Sequence, residues 1–206
     1  MEGIFHPDSK LMDHLNKMTD LMILNLIFII TSLPLFTIGA SLTALYTVML
    51  KRANHEDIYI VRTYFEAFRS NLKKSVLLWL MVVLSGLILY VETVILLNAN
   101  IPFRSFLLVV QGVLILSYIT VSMLSFPLLS PYGSGIREIL RKALLLPFVV
   151  FPEVLAVVAL NILPYVLTIY LFGIFPRVMM FWGFIGFSIL VYYSSIIMNR
   201  IHMKIT

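Results

Sequence analysis

Charge disappears from the chain between Leu21 and Leu50 and returns at Lys51 and Arg52. Such a run has the character of a membrane segment, yet Pro34 and Gly39 interrupt it within Ser32-Leu33-Pro34-Leu35-Phe36-Thr37-Ile38-Gly39-Ala40. Proline removes a backbone donor and clashes with the preceding turn, and glycine frees the backbone, so the pattern predicts two helical arms with a break between them. The arms Leu21–Leu33 and Phe36–Leu50 hold 13 and 15 residues. At ~1.5 Å per residue each is roughly 20 Å long, against a hydrocarbon core of ~30 Å. The prediction is a tight helical hairpin or a strongly kinked pair of half-helices, covered by other helices because irregular backbone is not tolerated against lipid.

Longer apolar runs follow at 76–97, 106–129, 143–171 and 178–198, the third broken by Pro147, Pro152 and Pro164. Between the first two runs, Val61, Tyr64, Phe65, Phe68 and Leu72 recur at helical spacing opposite Arg62, Glu66, Arg69 and Lys73, with Lys74 adjoining. That face pattern predicts a surface-lying helix with its apolar side among lipid head groups and its basic side toward anionic lipid. A second such helix is predicted where Ile136, Ile139, Leu140, Ala143 and Leu144 oppose Arg137, Arg141 and Lys142. Residues 1–20 are mixed in charge, with Leu11, Leu15 and Met18 spaced for an amphipathic lead-in. The expected architecture is therefore all-α: a single polytopic membrane domain over 1–206. It has five to six membrane helices, a Pro/Gly-broken first hairpin and two cationic amphipathic interfacial helices.

Asn25-Leu26, Ser32-Leu33-Pro34, Thr37-Ile38-Gly39-Ala40, Ala44-Leu45-Tyr46, Phe65, Phe68 and Asn71 resemble the YesL-like family of small bacterial membrane proteins, whose molecular function is unassigned. The resemblance extends over the whole chain in the order of segments, but its distinctive residues lie before about Leu80. It implies a bacterial plasma-membrane protein, in a family whose members are often encoded beside carbohydrate ABC importers and plant-polysaccharide degradation genes.

Composition narrows the chemistry. Hydrophobic residues make up 61% of the chain and charged ones 12%, far below the roughly 25% charged content of soluble domains. The net charge of +5 comes from short loops between apolar runs, a topology and lipid signal rather than a nucleic-acid footprint. There is no cysteine, and His6, His14, His55 and His202 are scattered, so no metal or cofactor is expected. No phosphate-cradling loop or zinc-protease motif occurs, and Gly133-Ser134-Gly135 lacks the nucleophile-elbow spacing, so enzyme activity is not expected. Cleavage of the first apolar run as a signal peptide is also not expected, because Glu2, Asp8, Asp13 and Asp20 precede it and the apolar character resumes after the break.

Candidate functional residues fall into four groups. Tyr64, Phe65 and Phe68 could anchor a partner protein. Asn25, Glu92, Gln111 and Glu153 are polar groups within apolar runs, each readable as helix-to-helix glue, an interfacial pair or a functional charge. Pro34 and Gly39 mark the break, and Arg62, Arg69, Lys73, Lys74, Arg137, Arg141 and Lys142 are candidate lipid contacts. A hairpin puts thirteen basic residues on one side and two, Arg104 and Arg177, on the other, which orients both termini toward the cytoplasm. Three roles remain open at this point. They are an accessory partner of a carbohydrate ABC importer, a small carrier or channel working as a homo-oligomer, and a lipid-binding membrane organiser.

Overall fold

The computed structural model describes residues 10–98, 102–132, 135–170 and 180–205, and no strand occurs among them. Residues 99–101, 133–134 and 171–179, which include Gly133 and Arg177, and the N-terminal stretch that includes His6 lie outside the described residues.

Helix α1 (Lys10–Ser32) is followed by Leu33, Pro34 and a 3-10 turn (Leu35–Thr37) before α2 (Ile38–Ala53). Pro34 takes extended backbone, φ −74° and ψ 113°, where its fixed ring and missing N–H interrupt the ladder. The two arms run antiparallel, because Arg52 near the end of α2 pairs with Asp20 of α1. From Asp20 to Ser32 and from Ile38 to Arg52 the rise is ~18 and ~21 Å. The stretch is thus a hairpin and not one kinked crossing.

Helix α2 is the centre of the molecule. From Gly39 to Leu50 only Leu42 and Thr47 escape full burial, since helices from four directions cover it: α1, α3 (Ile60–Asn98), α4 (Arg104–Tyr132) and α7 (Phe187–Ile205). That cover does not reach the break itself, where an enclosing layer of helices was expected: Leu33, Leu35 and Phe36 are each 60% or more exposed, and burial begins only at Thr37.

The first cationic segment is not a separate surface helix. It is the beginning of α3, one helix of 39 residues and ~58 Å at 1.5 Å per residue, because nothing between Asn71 and Val76 stops a helix. Tyr64 and Ser75 lie ~16 Å apart along α3, yet both bond to residues 41–43 of α2, so α3 crosses α2 obliquely. Beyond this crossing α3 and α4 pair antiparallel, with Tyr118 on Val82 and Gln111 on Thr93. This arm leaves the core: Leu84, Ile88, Val109 and Leu116 are all more than half exposed.

Helix α5 (Ile136–Val149) forms where the second cationic helix was expected and buries Ile139, Ala143 and Leu146. The run 143–171 is divided at Val150, φ −134° and ψ 57°, which separates α5 from α6 (Phe151–Tyr170). Pro152 occupies the first turn of α6, where a missing N–H is harmless. Pro127 lies inside α4 without ending it. A π turn (Trp182–Gly186) leads into α7, which runs antiparallel to α6 through Asn161 and Ser194 at 2.9 Å. Among the described residues five helices are long and apolar enough to cross a membrane by length and composition, and α2, at 16 residues, is shorter than any of them. The protein is an all-α, multi-pass membrane protein.

Candidate functional site

The break in the first hairpin is closed by hydroxyls. Thr37 Oγ1 shares its proton between the carbonyls of Thr31 (2.6 Å) and Pro34 (2.7 Å), the second of which also accepts the Thr37 N–H. Ser41 Oγ donates to Thr31 Oγ1 at 3.0 Å, and that hydroxyl shares a 2.7 Å bond with Tyr64 Oη. One layer further along, Ser75 Oγ donates to Thr43 Oγ1 at 3.0 Å, and Ser130 Oγ to Thr47 Oγ1 at 2.7 Å. Gly39 permits this geometry, since α3 passes so close that a side chain would meet the Ser75 carbonyl. Pro34 and Gly39 therefore act together, one opening the ladder and the other letting α3 close over it.

The polar residues singled out within apolar runs have internal partners in three of four cases. Asn25 is fully enclosed: its Nδ2 donates to the carbonyls of Trp182 (3.0 Å) and Gly183 (2.7 Å), and its Oδ1 accepts from the Ser188 N–H at 3.1 Å. A π turn disturbs the regular ladder of a helix, and Asn25 bonds the backbone groups at that disturbance. Gln111 Nε2 donates to the Leu89 carbonyl and to Thr93 Oγ1, tying α4 to α3. Glu153 pairs with Lys204 at the end of α7, so its partner is a basic residue on another helix and not Arg141. Glu92 is exposed on α3, with no described partner. Asn161, not singled out from sequence, donates to Ser194 Oγ; an amide in the middle of an apolar run was the available signal.

The three aromatic anchors separate. Tyr64 is fully buried at the hairpin break and Phe68 packs on the core, whereas Phe65 is exposed. Of the three, Phe65 is the exposed one, because much of the apolar stripe of α3 packs on α2. Among the basic candidates, Arg62 pairs with Glu66 and Lys142 with Glu138, each at 2.7 Å along its own helix. Arg69, Lys73, Lys74, Arg137 and Arg141 are exposed.

A cleft that the sequence reading missed lies at the charged end of the hairpin, with a volume of about 390 Å³. Its inner wall is Leu21, Leu24, Met49 and Tyr192, and its mouth carries Lys17, Arg52, His55, Glu56 and Asp57. The Asp20–Arg52 pair stands between wall and mouth, both side chains about 30% exposed. The mouth is shaped by how α2 ends. The Glu56 N–H bonds the Lys51 carbonyl and the His55 N–H bonds the Arg52 carbonyl, both at 3.1 Å, the paired closure of a Schellman motif. His55 occupies its left-handed position, φ 59°, where glycine is usual and a side chain costs on the order of 1 kcal/mol. Nearby, Asn199 Nδ2 donates to Asn54 Oδ1 at 2.9 Å, gathering the end of α7 to the same place. The helix break that shapes this site could be read from sequence, but the meeting of Asp20, Arg52 and Tyr192 could not. Among the described residues no group of three or more His, Asp or Glu side chains is arranged to hold a metal ion.

Comparison with protein families finds one described as "Protein of unknown function, DUF624". Residues 21–93 match it. The matched part holds the hairpin, the hydroxyl layer and α3 through Glu92. DUF624 includes the YesL-like proteins, so the similarity falls on the same first half of the chain that carries the resemblance. No curated protein and no solved structure matches the chain.

Proposed function

We propose that this protein is an accessory or regulatory subunit in the bacterial plasma membrane, assembled with a carbohydrate ABC importer and with both termini in the cytoplasm. One observation carries the choice over a free-standing carrier: Asn25, Gln111 and Asn161 are bonded to neighbouring helices, while the α3–α4 arm presents apolar side chains outward along its length. Carriers bring polar groups together around a central substrate; here those groups hold helices together, and the unused surface is apolar. Such a surface suits lipid and partner helices alike. The importer setting rests on the YesL-like resemblance, and the cytoplasmic assignment on the excess of basic residues at the end where Arg52, Asn199 and Lys204 gather.

The test is affinity purification of the tagged protein from its native membrane in mild detergent, with mass spectrometry of what accompanies it. Importer subunits are expected, with recovery reduced several-fold by Phe65→Ser, a change at an exposed position. Recovery of the protein alone as a defined oligomer, together with solute flux in liposomes, would overturn the reading in favour of a carrier.

A further inference from the structure

The cleft at the end of the hairpin has walls of two kinds. Leu21, Leu24, Met49 and Tyr192 make its interior apolar, while Lys17, Asp20, Arg52, Glu56 and Asp57 give the rest of its lining both signs of charge. It opens where the charge-free run Leu21–Leu50 ends on both arms, so an apolar interior reaching the core residues Leu24 and Met49 meets a charged mouth at the polar boundary. A volume of about 390 Å³ lies in the lower part of the range used by small-molecule sites. An amphiphile meets both requirements, and its head group must satisfy both signs of charge.

We propose that the cleft binds the head group of a zwitterionic amphiphile, a phosphate ester bearing a primary ammonium. The phosphate lies against Lys17 and Arg52, and the ammonium against Glu56 and Asp57. A guanidinium presents a planar fork of donors to phosphate oxygens, and the pair with Asp20 holds Arg52 in place for that contact. A primary ammonium has three donors and no acceptor, so two carboxylates suit it. A purely anionic head group would gain the same phosphate contact but meet Glu56 and Asp57 as like charges, and that repulsion supplies selectivity.

His55 separates this role from folding. It holds a left-handed position that glycine fills with less strain, and its side chain lines the mouth of the cleft. Strained residues persist where the side chain is needed, and here the imidazole adds a donor on the phosphate side. The inference is independent of the accessory role proposed above.

The experiment uses the full-length purified protein in detergent, with unfolding temperature followed during titration by three probes. These are short-chain phosphatidylethanolamine, phosphatidylglycerol with the same chains, and soluble phosphoethanolamine. Phosphatidylethanolamine is expected to stabilise the protein at concentrations at least threefold lower than phosphatidylglycerol. Glu56→Gln with Asp57→Asn should bring that ratio close to one. His55→Gly should unfold at or above the wild-type temperature yet need at least threefold more phosphatidylethanolamine. Competition by soluble phosphoethanolamine would identify the free head group as a sufficient ligand, and its failure to compete would assign the site to the lipid; both support the chemistry. Equal response to the two lipids, or a preference unchanged in the Glu56/Asp57 variant, would overturn the proposal. Full affinity in His55→Gly would remove His55 from it.

Discussion

Replacing Gly39 by alanine should unseat α3 from α2. The added Cβ would lie 2.7 Å from the Ser75 carbonyl oxygen, 2.8 Å from Trp79 Cβ and 3.0 Å from Phe126 Cε1. The first two belong to backbone and to the root of a side chain, and neither can rotate away. Ordinary contact begins at 3.4 Å, so the helices must part by about 0.7 Å, the difference between 3.4 and 2.7 Å. Overpacking of this kind costs ~1–3 kcal/mol, and loosening the adjacent Ser75–Thr43 hydrogen bond adds ~0.5–1.5 kcal/mol. Alanine's better helix propensity returns at most ~1 kcal/mol, and less in a first turn. The net expectation is destabilisation by about 1–4 kcal/mol, read as the shift in reversible unfolding of the detergent-solubilised protein with increasing dodecyl sulfate. Two glycines serve as controls. A Cβ at Gly112 meets nothing within 4 Å, so Gly112→Ala should be neutral or stabilising by up to ~1 kcal/mol. At Gly86 it meets only the hydroxyl end of Tyr118, which can move, so Gly86→Ala should fall between the two. If Gly39→Ala proves as stable as Gly112→Ala, the close α2–α3 crossing is refuted.

Three further predictions test the ties between helices. Asn25→Ala removes the hydrogen bonds to the Trp182 and Gly183 carbonyls and from the Ser188 N–H; at ~0.6–1.7 kcal/mol per hydrogen bond in a membrane protein the loss should total about 2–5 kcal/mol, with faster amide exchange around Ser188. Stability equal to wild type would show that the π turn does not depend on Asn25. With no native cysteine in the chain, Asp20→Cys with Arg52→Cys should be bridged within one molecule by a short bismaleimide, and failure to bridge in the folded protein would refute the hairpin. Glu153→Lys and Lys204→Glu should each lower stability slightly in the same unfolding assay, with recovery when combined; equal loss in the double variant would argue against the pairing.

The chain announced its fold unevenly. Pro34 and Gly39 located the break to the residue, because proline and glycine act through their own backbone and need no tertiary information. The apolar runs marked the spans for a similar reason, since length and hydropathy are local properties. Helix continuity was harder to read. Charge falls away after Lys74, which looks like the end of an interfacial helix, but no helix-stopping residue accompanies the change and α3 continues through it. Burial of Tyr64 was likewise hidden, because its stripe is equally compatible with lipid, a partner or the chain's own hairpin. The cleft was least legible, as it joins Asp20, Arg52 and Tyr192 from three helices and draws its mouth from a loop with no motif.

The distribution of polar groups bears on where function resides. A polar side chain within an apolar run is expensive, and function is the usual explanation for one. In this protein the cause lies in the backbone. The break at Pro34 and the π turn at Trp182–Gly186 both disturb their helical ladders, and Thr37 and Asn25 bond the groups at those disturbances. Gln111 ties α4 to α3 and Asn161 ties α6 to α7. These residues let α2 sit enclosed at the centre and so fix the positions of its two ends. At one end lies the close crossing at Gly39; at the other, Arg52 and the left-handed His55 project into a cleft at the polar boundary. A change at Asn25 should therefore lower stability while leaving lipid preference intact in the surviving folded protein, whereas His55→Gly should do the reverse. Measuring both variants by unfolding and by lipid titration would separate the residues that build the cleft from those that use it.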